Sequence, residues 1–278
     1  QTGDTMIVAH KDFMPQILKR TGATTFTKSV FAFEESTNGE VTYQPYYKFA
    51  DNAVTLDIDA TAKGTTGVTC TTSSAYWTSD YVGQIIRYHG TELEVTGYTS
   101  DTVVTATLRS DVSISLDDDP FKTSQGSGVV EVTMVQHGFT TGASITISGA
   151  EDIFDDTGAG LATANINGTF TITVTDDNHF TFTAGASDTA TLSVDGGGVN
   201  VKIVGHPPTK NWDEQIIGAV NGYPQTVCFH EQRLYFAGVP AFPDGIQGSK
   251  IGEFFNFDVG EGEDDESIQI QISSDTIN

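Results

Sequence analysis

The sequence predicts an all-β, multi-domain protein, and three observations support this fold class. Val54, Leu56 and Ile58 alternate with polar residues, which is the period of a half-buried strand. Short segments rich in Thr and Val, separated by Gly, Asp and Asn turns, recur along most of the chain. The one helix candidate is residues 11–19, and Pro15 interrupts it.

Length and charge limit the classes of function. A chain of 278 residues exceeds the usual size of one domain, so several small domains are expected. The 13 basic and 37 acidic residues give a net charge of −24, which excludes a nucleic-acid site built on clustered Lys and Arg. No apolar run is as long as a membrane helix, and Gln1–Asp4 show no signal sequence. We therefore expect a soluble protein, assembled in a cytoplasm, without membrane insertion.

Residues 1–62 are predicted to form the first part of a β-platform. Its strand candidates are Thr5–His10, Lys28–Phe33 and the alternating segment around Leu56. Residues 63–125 are predicted to form a small β-barrel or sandwich inserted into that platform. The strand candidates of this insertion, separated by turn residues, are Val68–Thr72, Gln84–His89, Glu92–Tyr98 and Thr102–Leu108.

Residues 126–204 repeat the plan of the first insertion and are predicted to form a second small β-barrel. Its strand candidates are Val129–Val135, Ser144–Ser148, Thr169–Thr175 and His179–Thr183. The segment also resembles the FCCH module, named after the first catalytic cysteine half-domain of ubiquitin-activating enzymes. The residues that carry this resemblance are His137-Gly138-Phe139, Gly142, Asn167-Gly168-Thr169-Phe170 and Asn178-His179-Phe180-Thr181-Phe182. Because the module recurs in phage tail proteins as a non-catalytic barrel, the resemblance implies no chemistry here.

Residues 205–278 have the most unusual spacing in the chain. Residues 221–224, Asn-Gly-Tyr-Pro, predict a turn, because Gly supplies a positive φ and Pro restricts φ. The segment Thr226–Ala237 is mostly β-branched, aromatic or apolar, which indicates a strand or a tight hairpin. The aromatic residues of Phe254–Phe257 indicate a second short strand. We therefore predict that residues 205–278 form the second part of the β-platform, as a sheet that resembles one blade of a propeller.

This last segment resembles the tail tubular protein B, or tail nozzle, family of short-tailed phages. In that family a Gly-Tyr-Pro turn leads into a strand ending in Arg-Leu, and a Ser-x-x-Gly turn and an Asn-Phe pair follow. The matching residues, the structural signature, are Trp212, Gly222, Tyr223, Pro224, Arg233, Leu234, Ser249, Gly252 and Phe257. The resemblance implies no catalytic, cofactor or metal role for them.

The function that the resemblance implies is structural: part of the conduit through which a virion ejects its DNA. Expected partners are further copies of the chain in a hexameric ring, the tail tube or adaptor protein, docked tail fibres, and passing genomic DNA without tight binding. The alternative is a tail module that binds host-surface polysaccharide, with Ca²⁺ held by acidic loops. A polysaccharide depolymerase is a third interpretation, which release of reducing sugar would favour.

The sequence contains no complete motif for catalysis, so no enzyme and no cofactor are predicted. Residues 230–234, His-Glu-Gln-Arg-Leu, begin like the zinc-protease helix, but Leu234 stands where the second His is needed. Gly158–Thr163 departs from the dinucleotide fingerprint at its last Gly, and no Gly-x-Ser-x-Gly elbow is present. Cys70 and Cys228 fall in different predicted domains, so both are expected to be thiols.

Three acidic runs are candidates for Ca²⁺ binding: Asp117–Asp119, Glu151–Asp156 and Glu261–Glu266. None has EF-hand spacing, so solvated loops are the expected outcome and no metal is predicted. If the first and third runs line a channel, their charge would repel DNA phosphates over a Debye length of about 8 Å.

Three large side chains have structural interpretations. Arg233 lies inside an apolar strand, and an unpaired buried charge is costly, so we expect pairing with a carboxylate or with carbonyls. It is interpreted as a latch within the sheet, with an inter-subunit salt bridge as the alternative. Trp77 and Trp212 are expected to be packing anchors, with sugar platforms as the alternative. Because the chain lacks an initiator Met and stops at Ser273–Asn278 in an expected sheet, an internal fragment is also predicted.

Overall fold

The computed structural model describes residues 4–154, 160–185, 189–260 and 262–272, and nearly all regular structure in these ranges is β. The strands are β1 (Thr5–His10), β2 (Phe13–Arg20), β3 (Phe26–Val30), β4 (Tyr46–Tyr47), β5 (Leu56–Ile58), β6 (Thr66–Thr72), β7 (Ile85–Tyr88), β8 (Thr91–Ser100), β9 (Val103–Leu108), β10 (Ile114–Ser115), β11 (Phe121–Lys122), β12 (Val129–Thr133), β13 (Ser144–Ser148), β14 (Ile153–Phe154), β15 (Gly160–Leu161), β16 (Gly168–Thr171), β17 (Thr173–Asp176), β18 (His179–Thr183), β19 (Asp195–Gly196), β20 (Lys202–Val204), β21 (Trp212–Gln215), β22 (Thr226–His230), β23 (Arg233–Val239), β24 (Phe242–Gly248) and β25 (Ile268–Gln271). The helical elements of the described ranges are α1 (Thr163–Ile166) and a 3₁₀ turn at Ser79–Tyr81. The predicted all-β, multi-domain class is confirmed.

The strands form antiparallel sheets around three hydrophobic cores. The largest sheet has the order β4-β21-β7-β8-β9-β6-β5, and the C-terminal sheet is the meander β22-β23-β24-β25. The N-terminal sheet is β1-β2-β3, and the remaining sheets are β10-β20-β13-β16, β17-β18-β12-β11-β19 and β14-β15. No helix in the described ranges is long and apolar enough to span a membrane.

Each core combines residues that are distant in sequence. The platform core joins the first and last parts of the chain through Ile7, Phe31, Ile216, Ile217, Leu234, Phe236, Val239, Phe242 and Phe257. The core of the first insertion, the first-module core, lies between Ala50 and Val112 and includes Trp212. The second-module core lies between Ile114 and Ile203.

Strand pairing crosses the predicted domain boundaries. β5, from the predicted platform, pairs with β6 of the first insertion, and β21 pairs with β7. β10 and β11, from the predicted first insertion, pair with β20 and β12 of the second. A strand pairs where a neighbouring edge offers free N–H and C=O groups, and sequence position does not limit this choice. The division into domains itself stays a prediction.

The helix candidate at residues 11–19 is wrong, because this segment forms strand β2. Its alternate residues pair with both neighbours: Ile17 lies opposite Ile7 of β1 and Ser29 of β3. Pro15 is tolerated because it lies one residue beyond the β2–β3 ladder, where its carbonyl accepts a hydrogen bond from the N–H of Phe31 and no ladder hydrogen bond needs its missing N–H.

Two strand predictions need correction in detail, and for a third segment the hairpin alternative is confirmed. Phe254–Phe257 forms turns, and the fourth strand of the sheet is β25 instead. The predicted segment Thr226–Ala237 is a hairpin, divided between β22 and β23. The predicted strand Thr169–Thr175 divides at Ile172, which is 1% exposed, into β16 and β17 of two different sheets.

Candidate functional site

The signature begins with a tight turn at Gly222. Its φ is +87°, and a Cβ at this position would lie 2.6 Å from Cγ and Cδ of Pro240. The main chains of Gly218 and Gly222 exchange hydrogen bonds of 2.8 and 3.0 Å, which closes the turn. Pro224 is buried, and the next residue, Gln225, already donates its N–H to the carbonyl of Ala237. A glycine is therefore required at the turn that leads into β22.

Arg233 at the start of β23 is buried, with 5% of its surface exposed. Its Nη1 donates to the carbonyl of Ser249 at 2.7 Å and also to the carbonyl of Glu266, and its Nη2 donates to the carbonyl of Asp264 at 2.7 Å. The pairing expected of this arginine is thus made with carbonyls. One guanidinium thereby connects the hairpin to the acidic loop that precedes β25.

Ser249 and Gly252 lie in the turn after β24 and form hydrogen bonds with the β22–β23 hairpin. The Ser249 hydroxyl accepts a hydrogen bond from the N–H of Leu234 at 3.0 Å and donates to the carbonyl of Lys250 at 3.0 Å. Gly252 has a φ of +78°, and its N–H donates to the carbonyl of Gln232 at 2.8 Å. These contacts are all within the sheet and its turns.

Phe257 packs against the buried face of the C-terminal sheet. Its ring is 2% exposed and stacks on Phe236, with centroids 5.6 Å apart, and it also meets Phe31 edge to face at 6.5 Å. Tyr223 packs at the margin of the same core. The signature residues from Gly222 to Phe257 therefore converge on one sheet.

Trp212 does not join them. It is 2% exposed in the first-module core, where its ring centroid is 5.7 Å from that of Trp77. Its Nε1 donates to the carbonyl of Val54 at 2.9 Å. Trp77 is also 2% exposed. Both tryptophans are packing anchors, and neither presents a face on which a sugar could stack.

The sequence analysis missed two buried carboxyl groups where the large sheet meets the platform. Glu214, in β21, is 1% exposed and accepts hydrogen bonds from the Tyr76 hydroxyl and, at 3.4 Å, from Nδ2 of Asn221. Burial raises its pKa, although these donors act in the opposite direction. The sequence carried only a weak signal that Glu214 is buried. Trp212 and Glu214 lie two residues apart in a short strand, so their side chains point to the same face, and a buried Trp212 implies a buried Glu214.

Glu92, in β8, is the second buried carboxyl group, and it is also 1% exposed. It accepts hydrogen bonds from the Tyr46 hydroxyl at 2.6 Å and the N–H of Thr42 at 2.8 Å, and Arg109 lies 3.3 Å away. Burial raises the pKa of Glu92, opposed by these partners. Enclosed in this way, neither Glu92 nor Glu214 is open to a substrate.

A cavity of about 420 Å³ lies beside this network. It is lined by Gln44, Tyr46, Arg87, Asp258, Val259, Gly260 and Gln269. Arg87 forms a two-pronged ion pair with Asp213, at 2.7 and 2.5 Å, and lies 3.9 Å from the centre of the Tyr46 ring. Gln269 donates to the carbonyl of Tyr46 at 2.9 Å, while its Oε1 has no hydrogen-bond partner within the described chain. The lining is mostly polar, and the positive charge of Arg87 is balanced by the carboxylate of Asp213.

The motifs considered for metals fall in ordinary loops. Residues 230–234 span the β22–β23 turn, so the zinc-protease helix is absent there. Asp117–Asp119 are exposed, and Asp119 accepts a hydrogen bond from the N–H of Gly198 at 2.9 Å. The part of the chain that the structure describes contains no group of three His, Cys, Asp or Glu residues arranged to hold a metal ion.

Parts of three sequence motifs lie outside the described residues: Asp155 and Asp156 of the second acidic run, Glu261 of the third, and Gly158 and Ala159 of the glycine-rich segment. Asp152, which is described, accepts hydrogen bonds from the N–H and the hydroxyl of Thr163. Cys70 is buried and Cys228 is exposed, and both are free thiols as expected.

Comparisons with known proteins do not assign the chain to a family. No family model matches it. No curated protein matches it either. Among solved structures, it is similar to the phage phi92 endosialidase, with 12% identity and a TM-score of 0.28, over 92% of this chain and 52% of that chain. The chain thus spans about half the length of that protein, and a similarity at this TM-score carries no argument about fold or activity.

Proposed function

We propose that this chain is part of a structural protein of a short phage tail, the tail nozzle, and contributes to the conduit for DNA ejection and to a docking surface for tail fibres. The observation that supports this function most is the arrangement around Arg233. Here the side chains of Arg233 and Ser249 form hydrogen bonds with main-chain atoms of the sheet and its loops. Polar side chains paired in this way stabilise a scaffold.

The proposed assembly is a hexameric ring that meets the tail tube or adaptor protein and sits in the virion, after assembly in the host cytoplasm. Two sheet edges, at β3 and β25, have no further strand partner in the described part of the chain, and they support an assembled state because unpaired edges favour pairing with another chain. The net charge of −24 supports a conduit that DNA passes without tight binding.

The test is an image of the full-length protein mixed with its tail tube protein. We expect a closed ring with a central opening, and a mass that corresponds to six copies per tail. A fibre, a trimeric spike, or one or two copies per tail would contradict the proposal.

The cavity beside Arg87 favours one second candidate, a tail module that binds host-surface polysaccharide. Amide, phenol and paired ionic groups at one concave site are suited to hydroxyl-rich ligands, and Oε1 of Gln269 has no partner there within the described chain. Calorimetric titration of the protein with host polysaccharide, with and without Ca²⁺, tests this candidate. Binding that Gln269→Ala abolishes would favour it, while no heat of binding would exclude it.

A further inference from the structure

The outer face of the N-terminal sheet is apolar and uncovered. All five residues of β3 are exposed, including Phe26 at 60% and Val30 at 58%. The register places these two side chains on the same face as Met6 and Leu18, because Met6 lies opposite Leu18 and Leu18 lies opposite Lys28. Met6 is 39% exposed. In the described ranges no other element covers this face.

The edge of β3 also lacks a strand partner within the residues that the structure describes. The N–H of Phe31 donates to Pro15, and the N–H of Thr21 donates to Thr25, so odd-numbered residues of this segment face β2. Because bonding alternates along an antiparallel strand, the main-chain groups of Phe26, Lys28 and Val30 point away from the sheet. Side chains and main chain at this edge therefore offer one continuous, unpaired surface.

This surface is basic, although the molecule is acidic. Residues 4–30 hold four of the 13 basic residues but only two of the 37 acidic residues. Within the described chain Lys19, Arg20 and Lys28 form no ion pair. Lys28 and Arg20 lie on the apolar face, and Lys19 lies on the opposite face. The charge fits an acidic partner.

A complementary surface lies at the far edge of the C-terminal sheet. β1 lies against β22, whereas β3 and β25 are the outer strands of their respective sheets. Ile270 of β25 and Ile272, just after this strand, are 50% and 53% exposed, and because they are two residues apart they share one face. The loop before β25 has exposed Glu263, Asp264 and Asp265, and Arg233 holds its main chain through Asp264. This edge is apolar and acidic, where the β3 edge is apolar and basic.

We propose that the β3 edge and apolar face of one copy dock against β25 and the acidic loop of a second copy of the chain. Because the two surfaces are different, each copy in a pair still has one unoccupied surface for a further copy. Repetition of this contact forms a closed ring when the rotation between neighbouring copies is a whole fraction of a full turn. The biological role of this contact rests on the proposed function, because these would be the surfaces by which neighbouring tail subunits bind each other.

The test is sedimentation velocity of the chain over a concentration series at low salt. We expect concentration-dependent self-association, which Lys28→Glu weakens about tenfold or more, because it places like charges across the contact. Lys19→Glu is the matched control: it makes the same charge change at an exposed position on the opposite face of the sheet, and should leave association unchanged. Asp265→Lys should also weaken association, and the double variant with Lys28→Glu should restore it.

Three results would overturn the proposal. These are a monomer at every concentration, equal effects of Lys28→Glu and Lys19→Glu, and an Asp265→Lys variant that associates normally. The last result would mean that another surface, or chain beyond residue 272, occupies the β25 edge. The proposed function is tested separately by incorporation into tails: a chain that associates as described but never enters a tail refutes the function and leaves the contact standing.

Discussion

At the scale of single residues, hydrogen bonds to main-chain carbonyls stabilise the C-terminal sheet around Arg233, and no ion pair of this side chain is found in the described chain. Arg233 is buried and is satisfied by carbonyls of residues 249, 264 and 266. A guanidinium has five N–H donors in a fixed plane, which suits several carbonyls that surround one point. Ser249 uses a hydroxyl in the same way. The side chains of Arg233 and Ser249 thus supply hydrogen bonds to main-chain groups that have no main-chain partner.

Replacing Arg233 by Leu should lower the free energy of unfolding by about 3 kcal/mol, because buried carbonyls lose their donor. Incorporation into tails should fall with it. Urea denaturation measures the first effect. For unfolding the matched control is Arg20→Leu, since Arg20 also donates to carbonyls, those of Gly22 and Ala23, but is exposed. A variant at Arg233 that unfolds like the wild type would show that the latch assignment is wrong.

Gly222 and Gly252 allow backbone strain to be separated from steric conflict. Both have positive φ, but a Cβ at Gly222 meets Pro240 at 2.6 Å, while a Cβ at Gly252 meets nothing within 4 Å. Gly252→Ala should cost about 1 kcal/mol from the left-handed conformation alone. Gly222→Ala should cost clearly more, and Gly222→Val more again. Thermal unfolding of the three variants decides this, and equal losses for both Ala variants would refute the close approach to Pro240.

The buried carboxyl of Glu214 predicts a pH dependence. Its pKa in the folded state is raised by burial above the ordinary value of 4.5. Between the unfolded and folded pKa values, the native state binds more protons than the unfolded state, so this group makes the free energy of unfolding fall as the pH rises. Glu214→Gln should therefore flatten the slope of stability from about pH 4.5 upward. Glu94→Gln, at an exposed position in β8, is the control. If both variants keep the wild-type slope, Glu214 does not titrate as described.

At the scale of elements, the β22–β23 hairpin has a turn that its sequence does not favour. Glu231 and Gln232 have φ values of 47° and 61°, so both central residues are left-handed. Asn-Gly is the pair that this turn type prefers, and Glu and Gln have no such preference. The rest of the hairpin compensates, since Leu234 and Phe236 of β23 are fully buried in the platform core. Tertiary packing therefore imposes the turn.

The double change Glu231→Asn and Gln232→Gly should raise the free energy of unfolding by about 1 kcal/mol, because the turn would lose its backbone strain. Urea denaturation measures the change. Gln232→Ala serves as the comparison and should not stabilise the protein, because alanine does not favour a positive φ. A double variant that is less stable than the wild type would mean that these side chains make contacts that the strain argument omits.

At the scale of the whole molecule, charge is distributed unevenly. The N-terminal sheet is basic, and two acidic runs with exposed side chains, Asp117–Asp119 and Glu263–Asp265, lie in other parts of the chain. In the contact proposed between copies, Glu263–Asp265 face the neighbouring copy. Asp117–Asp119 stay exposed there and can face passing DNA.

Tails that carry Asp117–Asp119 changed to Lys should retain DNA longer and eject it several-fold more slowly at low salt. The reason is that each added Lys can hold a phosphate, and salt screens this attraction. The control changes Asp51, Asp80 and Asp101, which are also exposed, to Lys. Ejection at the wild-type rate from the first variant at low salt would show that this run does not line the channel.

The local features of this protein were predictable from sequence. The alternation around Leu56, the turn at Gly222 and the strand that carries Arg233 depend on neighbouring residues, since period and turn chemistry act over a few positions. The same local reasoning failed at β2, where Pro15 in a weak helical pattern concealed a strand paired on both sides.

Only the tertiary structure decided which distant segments meet. Glu92 and Glu214 look like surface residues in sequence, and become buried because residues 42–46 and 212–221 converge on the large sheet. The Arg233 side chain was recognisable as one that needs a partner, but the carbonyls it found lie up to 33 positions away. Sequence patterns report which groups must be paired or buried, while the choice of partner depends on the packing of all three cores at once.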